Sequence, residues 1–195
     1  MKSVLRAILT LASIILLLSS AKASSTDCKP TITRKGTQRT YDLTALSHPE
    51  DQSDKIDYTS LAYLYRVFAN VCGVSSAGCD RTRKPAVCIS TFEGDAYLGG
   101  LLSTQTFSDL PENILKDVED GVAVKYTNGD SCDGTRTYET TLYFVCNDQY
   151  PEGFTYDGDE NDMCSPKLYI YLAGACGVAK ASSGGLGAGG IILIM

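Results

Sequence analysis

Eight cysteines constrain this chain more than any other feature: Cys28, Cys72, Cys79, Cys88, Cys132, Cys146, Cys164 and Cys176. What they do depends on the redox compartment, and the N-terminus decides that. Lys2 and Arg6 precede an apolar run, AILTLASIILLL at 7–18, and Ala21-Lys22-Ala23 follows as a small-residue cleavage site. Together they read as a secretory leader. The apolar run has 12 residues, short of the roughly 20 that cross a bilayer as a helix. Residues 1–23 are therefore expected to be removed, which takes away three basic residues and no acid. The rest enters an oxidising lumen, where cysteines pair. Eight cysteines allow about a hundred pairings, so spacing alone does not choose among them. No C-x-x-C is present, which argues against zinc-ribbon and thioredoxin chemistry.

The chain of 195 residues suits one domain. It carries 17 Lys+Arg against 23 Asp+Glu, a net charge of −6, and no basic stripe, so nucleic acid is not an expected partner. His48 is the single histidine, which leaves little room for histidine metal sites or histidine triads. It lies beside Pro49 in a charged stretch, 48–57, and reads as exposed. Asp157, Asp159 and Asn161 alternate as calcium-loop ligands do, but Asp162 stands where the loop needs glycine and Leu168 where it needs glutamate. The expected metal is therefore none, and so is the cofactor. No carboxylate pair stands out as catalytic, and an enzyme is not expected. No N-x-[ST] sequon occurs.

The strand pattern is strongest at NGDSCDGTRTYETTLYFVC, 128–146. From Tyr138 to Cys146 the side chains alternate between two faces, and Tyr, Thr, Phe and Val suit a pleated surface. A cysteine on each side marks it as the central strand of a stapled β domain. Asn128-Gly129 and Asp133-Gly134 are tight-turn signals. Further strands are expected at TYDLTALS (40–47), LAYLYRVFANVC (61–72), AVCIS (86–90), DAYLGGLLS (95–103), VAVKYT (122–127) and KLYIYLAGAC (167–176). One or two helical turns fit 110–121, and 147–162 reads as a long polar loop. Many short strands with turns between them predict an all-β sandwich or barrel. Residues 179–195 are rich in glycine and end in IILIM. They read either as a solvated tail or as the opening of a membrane-spanning helix, and association with a membrane is expected if the gene continues past Met195.

These features converge on one family. YDLTALS at 41–47, FANVCG at 68–73, PAVC at 85–88, GDSC at 129–132, TTLYFVC at 140–146 and the spacing from Cys164 to Cys176 resemble the mannose 6-phosphate receptor homology (MRH) domains. The resemblance runs from about Cys28 to Cys176. It implies one lumenal domain at 24–178, a flattened β-barrel of two packed antiparallel sheets. It also implies four disulfides, Cys28–Cys72, Cys79–Cys88, Cys132–Cys164 and Cys146–Cys176.

Sugar-binding members use a Gln, an Arg, a Glu and a Tyr, which together satisfy vicinal hydroxyls and close a pocket. The matching positions here hold Ile89, Tyr138, Asn161 and Pro166, so none of the four is kept. Arg136, two residues before Tyr138 and so on the same strand face, and Glu160, next to Asn161, are the residual candidates. The family contains transport receptors and autophagy-related protein 27-like membrane proteins, the latter with one lumenal MRH-like domain before a membrane helix. The resemblance therefore implies a lumenal binding or sorting module of the secretory or endolysosomal pathway, with a protein or glycoprotein partner and without mannose 6-phosphate binding. The alternatives are a mannose-binding lectin and a secreted accessory subunit of a glycan-processing enzyme.

Overall fold

The computed structural model describes residues 28–115, 118–149, 155–159 and 162–180. The leader at 1–23, Glu160, Asn161 and the tail from 181 lie outside the described residues. Among the described residues twelve strands follow in order: β1 (Thr31–Arg34), β2 (Thr37–Thr40), β3 (Ile56–Ser60), β4 (Tyr65–Ala69), β5 (Pro85–Thr91), β6 (Ala96–Leu101), β7 (Thr106–Asp109), β8 (Gly121–Tyr126), β9 (Thr140–Cys146), β10 (Thr155–Asp159), β11 (Lys167–Leu172) and β12 (Val178–Ala179). Among the described residues there is no α-helix. The fold is all-β, as the strand pattern predicts.

A four-stranded sheet, β3-β4-β5-β6, packs on a five-stranded sheet, β10-β11-β9-β8-β7. A small third sheet, β1-β2-β12, joins the two ends of the described domain. β9 is the middle strand of its sheet. It pairs antiparallel with β8 and parallel with β11. Its alternation serves both faces. Leu142 and Phe144 enter the main core with Val67, Ile89, Val124 and Ile170. Tyr143 and Val145 enter a second cluster with Leu110 and Ala123, against which Ile114, Leu115 and Val118 pack. Full burial of each large apolar side chain contributes about 1.5–3 kcal/mol, so a strand apolar on both sides belongs in the centre.

Four disulfides join Cys28 to Cys72, Cys79 to Cys88, Cys132 to Cys164 and Cys146 to Cys176. Each stabilises the fold by about 2–4 kcal/mol, mainly by restricting the unfolded chain.

Several segments depart from the sequence expectation. The stretch 40–47 is not a strand: after Thr40 it turns, and Thr44–Leu46 form a 3-10 helix. Asp42 causes this, because its carboxylate accepts from both the Thr44 amide and the Thr44 hydroxyl. The strand expected over 61–72 begins only at Tyr65, because 61–64 is the turn between β3 and β4. The polar stretch 147–162 contains β10, paired with β11. Residues 31–40, which show no apolar alternation, form the β1–β2 hairpin.

His48 is buried, not exposed. Its side chain and that of Asp54 are each 1% exposed and 3.0 Å apart. Nδ1 of His48 lies 2.7 Å from the Pro49 carbonyl, which only accepts, so Nδ1 carries a hydrogen. Asp54 also accepts from the Ser75 hydroxyl at 2.5 Å and from the Ser76 and Ala77 amides. This carboxylate sews the charged 48–55 stretch to the loop before β5.

A second buried carboxylate, Asp120, holds the third sheet to the barrel. It accepts from the Tyr41 hydroxyl, Arg39, Arg34 and the amides of Gly121 and Gly177. Burial, reinforced by the hydrogen bond to Asp120, pushes the Tyr41 phenol well above its ordinary value. Burial alone does the same for Tyr126. Both phenols are thus held neutral in the fold. Their contribution is fully present below the ordinary tyrosine pKa of about 10 and is lost as pH rises toward the folded value. Alkaline titration at the phenolate absorbance band is expected to show Tyr41 and Tyr126 ionising only together with unfolding. Reversible ionisation of all tyrosines around pH 10 in a chain that keeps its near-ultraviolet dichroism would contradict this.

Candidate ligand-binding site

The segment between β8 and β9 builds the site. Asn128 takes a left-handed backbone, φ +59. Gly129 then passes so close to its neighbours that a Cβ there would lie 2.2 Å from the Leu98 carbonyl oxygen, a position only glycine tolerates. The Gly129 amide donates to the Tyr138 carbonyl, and the Tyr138 amide donates to the Asp130 carbonyl. The Asp130 carboxylate accepts from the Leu98 amide and from Arg83. These bonds fix Tyr138 against β6.

At 133–136 the chain turns sharply. Asp133 accepts from the Thr135 amide, the Thr135 hydroxyl and the Arg136 amide, and Gly134 supplies φ +83. Arg136 is therefore in an exposed turn and not on the strand face it was expected to share with Tyr138. The register ends at an isolated bridge between Ser131 and Thr137, outside β9.

The four lectin-equivalent positions are packed in the interior or outside the described residues. Ile89 is 1% exposed and lies on β5 in the main core. Tyr138 is buried in the same core, its ring 6.0 Å from that of Tyr97, and Tyr97 is the β6 partner of Ile89. Burial raises the Tyr138 phenol above its ordinary value. Pro166 is buried, and its carbonyl accepts from the Thr141 amide. Asn161 and the neighbouring candidate Glu160 lie outside the described residues. Ile89 and Tyr138 thus come together, but as packing.

On either side of Tyr138 in the chain, Thr137 and Glu139 line an open groove of about 490 Å³ together with Thr135, Arg136, Asp162, Cys164 and Ser165. The Cys132–Cys164 bridge ties its two walls together, and the Glu139 amide donates to the Cys164 carbonyl. Arg136 is committed within the groove. Its Nε lies 2.8 Å from Asp133 and its Nη1 2.8 Å from Asp162. The Thr135 hydroxyl and then Arg136 hold the Asp133 carboxyl well below the usual range. Asp133 and then Asp162 hold Arg136 more firmly protonated. Glu139 pairs with Lys125 at 2.9 Å. Three carboxylates against two cations leave the groove acidic, which disfavours an anionic ligand and suits hydroxyl donors.

Of this groove, the sequence pointed to Arg136 alone. Glu139, Asp162 and Ser165 were missed. The signal that locates them is the Cys132–Cys164 pair, which brings 133–139 against 162–165. The cluster of Cys146, Asp148 and Cys176 is no metal site, because its two sulfurs are joined in a disulfide.

The fold is MRH-like. No family model matches the sequence, and no curated protein matches it. Solved structures do resemble it. Domain 11 of the echidna mannose 6-phosphate/IGF2R receptor superposes with a TM-score of 0.52 at 18% identity, covering 77% of this chain and 94% of that one. Chicken IGF2R domain 11 gives 0.55 at 21%, covering 77% and 92%. The MRH domain of Yos9, complexed with alpha3,alpha6-Man5, aligns over 85% of this chain and 91% of its own at 13% identity, but with a TM-score of 0.34. At these identities the likeness concerns the fold. Four disulfides fit an oxidising lumenal or extracellular setting. Among the described residues no helix is long and apolar enough to cross a membrane.

Proposed function

We propose that this chain is a lumenal MRH-type binding and sorting module of a vesicle-trafficking membrane protein, similar in plan to the autophagy-related protein 27-like proteins, and that it does not bind mannose 6-phosphate. The observation that carries this reading is the burial of Ile89 and Tyr138 in one apolar core. Where a sugar-binding member needs an amide and a guanidinium, this chain has close packing. Each missing hydrogen bond to a ligand costs about 0.5–3 kcal/mol, so losing several lowers affinity by at least about a hundredfold. The acidic groove beside Arg136 adds repulsion for a phosphate.

Calorimetry of the protein with mannose 6-phosphate is expected to show no saturable heat at millimolar ligand. A saturable signal abolished by Arg136→Ala would overturn the reading. Carbonate extraction of the full gene product tests the trafficking half, and recovery entirely in the supernatant would count against a membrane anchor.

The groove favours a second reading, a lectin for neutral mannose-containing glycans. Its volume falls in the range of small-molecule sites, and its hydroxyls and carboxylates suit neutral sugar hydroxyls. The same titration with a high-mannose glycan separates the two readings.

A further inference from the structure

Large apolar side chains are exposed in two turns that the fold stitches together. Leu61 is 76% exposed and Leu64 58%, both in the β3–β4 turn, and Phe92 is 51% exposed in the β5–β6 turn. The Phe92 amide donates to the Leu64 carbonyl at 3.2 Å, so the turns form one edge. Leu64 holds a left-handed backbone, φ +54, which L side chains with a Cβ rarely adopt. The turn is pinned by the Tyr63 amide on the buried Ser60 hydroxyl and by the Tyr63–Tyr65 stack, centroids 6.1 Å apart. The leucines are thus presented on a fixed support, and in the isolated domain they gain nothing from burial.

The charges around the edge select the occupant. Glu93 and Asp95 are exposed in the same turn as Phe92, and among the described residues neither is in a salt bridge. Arg66, on the adjoining strand, is spent on Asp57 and lies 4.8 Å over the Phe68 ring. The edge is therefore apolar with an acidic flank. A bilayer bearing anionic lipids would be repelled by it. A second copy would set Glu93 and Asp95 against their own likeness.

We propose that the 61–64 and 91–95 turns form a protein-docking edge, whose partner inserts an apolar segment flanked by lysine or arginine. This edge is separate from the groove beside Arg136 and stands whether or not that groove takes a sugar.

The test is an amide-resolved titration of the full chain with two short synthetic peptides. Both carry the same Phe-Leu core, one flanked by lysines and one by glutamates. The lysine peptide is expected to shift the amides of Leu61, Leu64 and Phe92 and to bind about tenfold tighter than the glutamate peptide. Leu64→Ser and Phe92→Ser should abolish binding with the melting temperature unchanged. Glu93→Lys with Asp95→Lys should reverse the peptide preference. Equal binding of both peptides, binding of neither, or no reversal would overturn the proposal. So would co-flotation with phosphatidylcholine vesicles that Leu61→Ser releases, or a dimer in sedimentation that Phe92→Ser dissociates.

Discussion

Asp120→Ala is expected to lower the melting temperature by about 10 °C, from a loss of about 3–5 kcal/mol. The side chain is 7% exposed, and it receives donors from five residues on three stretches of the chain, 34–41, Gly121 and Gly177. Arg39 lies 2.5 Å away, the Gly177 amide 2.8 Å, and the Tyr41 hydroxyl and Gly121 amide 2.9 Å each. Alanine leaves the Tyr41 hydroxyl and the Gly121 and Gly177 amides without this acceptor, and it leaves Arg39 as an uncompensated cation, while Arg34 keeps the Glu119 carbonyl and Asp109. Asn cannot rescue the site fully, because its amide nitrogen would donate toward groups that themselves donate. The loss should also be local in origin. The 31–40 hairpin and the residue before β12 both meet the barrel at this carboxylate, so the amides of the third sheet should exchange faster before the barrel's do. Unchanged exchange in β1, β2 and β12, with a melting shift under about 2 °C, would show that this carboxylate is not the link.

The second large effect is expected at Asp54. Asp54→Ala should destabilise the domain by about 3–5 kcal/mol, because it strands the Nε2 of a buried histidine, a hydroxyl and the Ser76 amide at once. His48 Nε2 at 3.0 Å, Ser75 Oγ at 2.5 Å and the Ser76 amide at 3.0 Å all aim at this carboxylate. Asp54→Asn retains one oxygen and should lose roughly half as much, since a neutral hydrogen bond contributes about 0.5–1.5 kcal/mol. Chemical denaturation with an unchanged slope would measure the difference. Equal midpoints for the wild type and Asp54→Ala would mean that water replaces the carboxylate at no cost.

The sequence revealed the barrel where side chains carry the fold, and concealed it where main-chain pairing or a distant partner does. β8, β9 and β11 were legible because Val122, Val124, Leu142, Phe144, Leu168 and Ile170 repeat at the strand period and point at one core. β1 and β2, with TITR and TQRT, were not, because both their faces are largely solvated. Their stability comes from β12 and from Asp120, neither of them near in sequence. β10 hid in a polar sequence, TYDGD, because its register is set by its main-chain pairing with β11.

His48 misled because a charged, proline-containing stretch reads as exposed, yet Asp54, six residues on, takes it inside. At the groove, Arg136 was visible as a cation near the expected position. Its true setting was not visible, because it depends on the turn that Asp133 caps and on Asp162, which lies across a disulfide.

The way the chain leaves the domain decides how it bears tension. A pull entering at Lys180 meets β12 first, and β12 holds β2 through only two residue pairs, Val178 with Thr40 and Ala179 with Arg39. Those can peel. Next in line is Cys176, bonded to Cys146 at the end of β9. The load then passes by covalent bonds into the middle strand of the five-stranded sheet, so a tether attached beyond Lys180 would tug on a strand held on both sides after yielding only a few residues of slack.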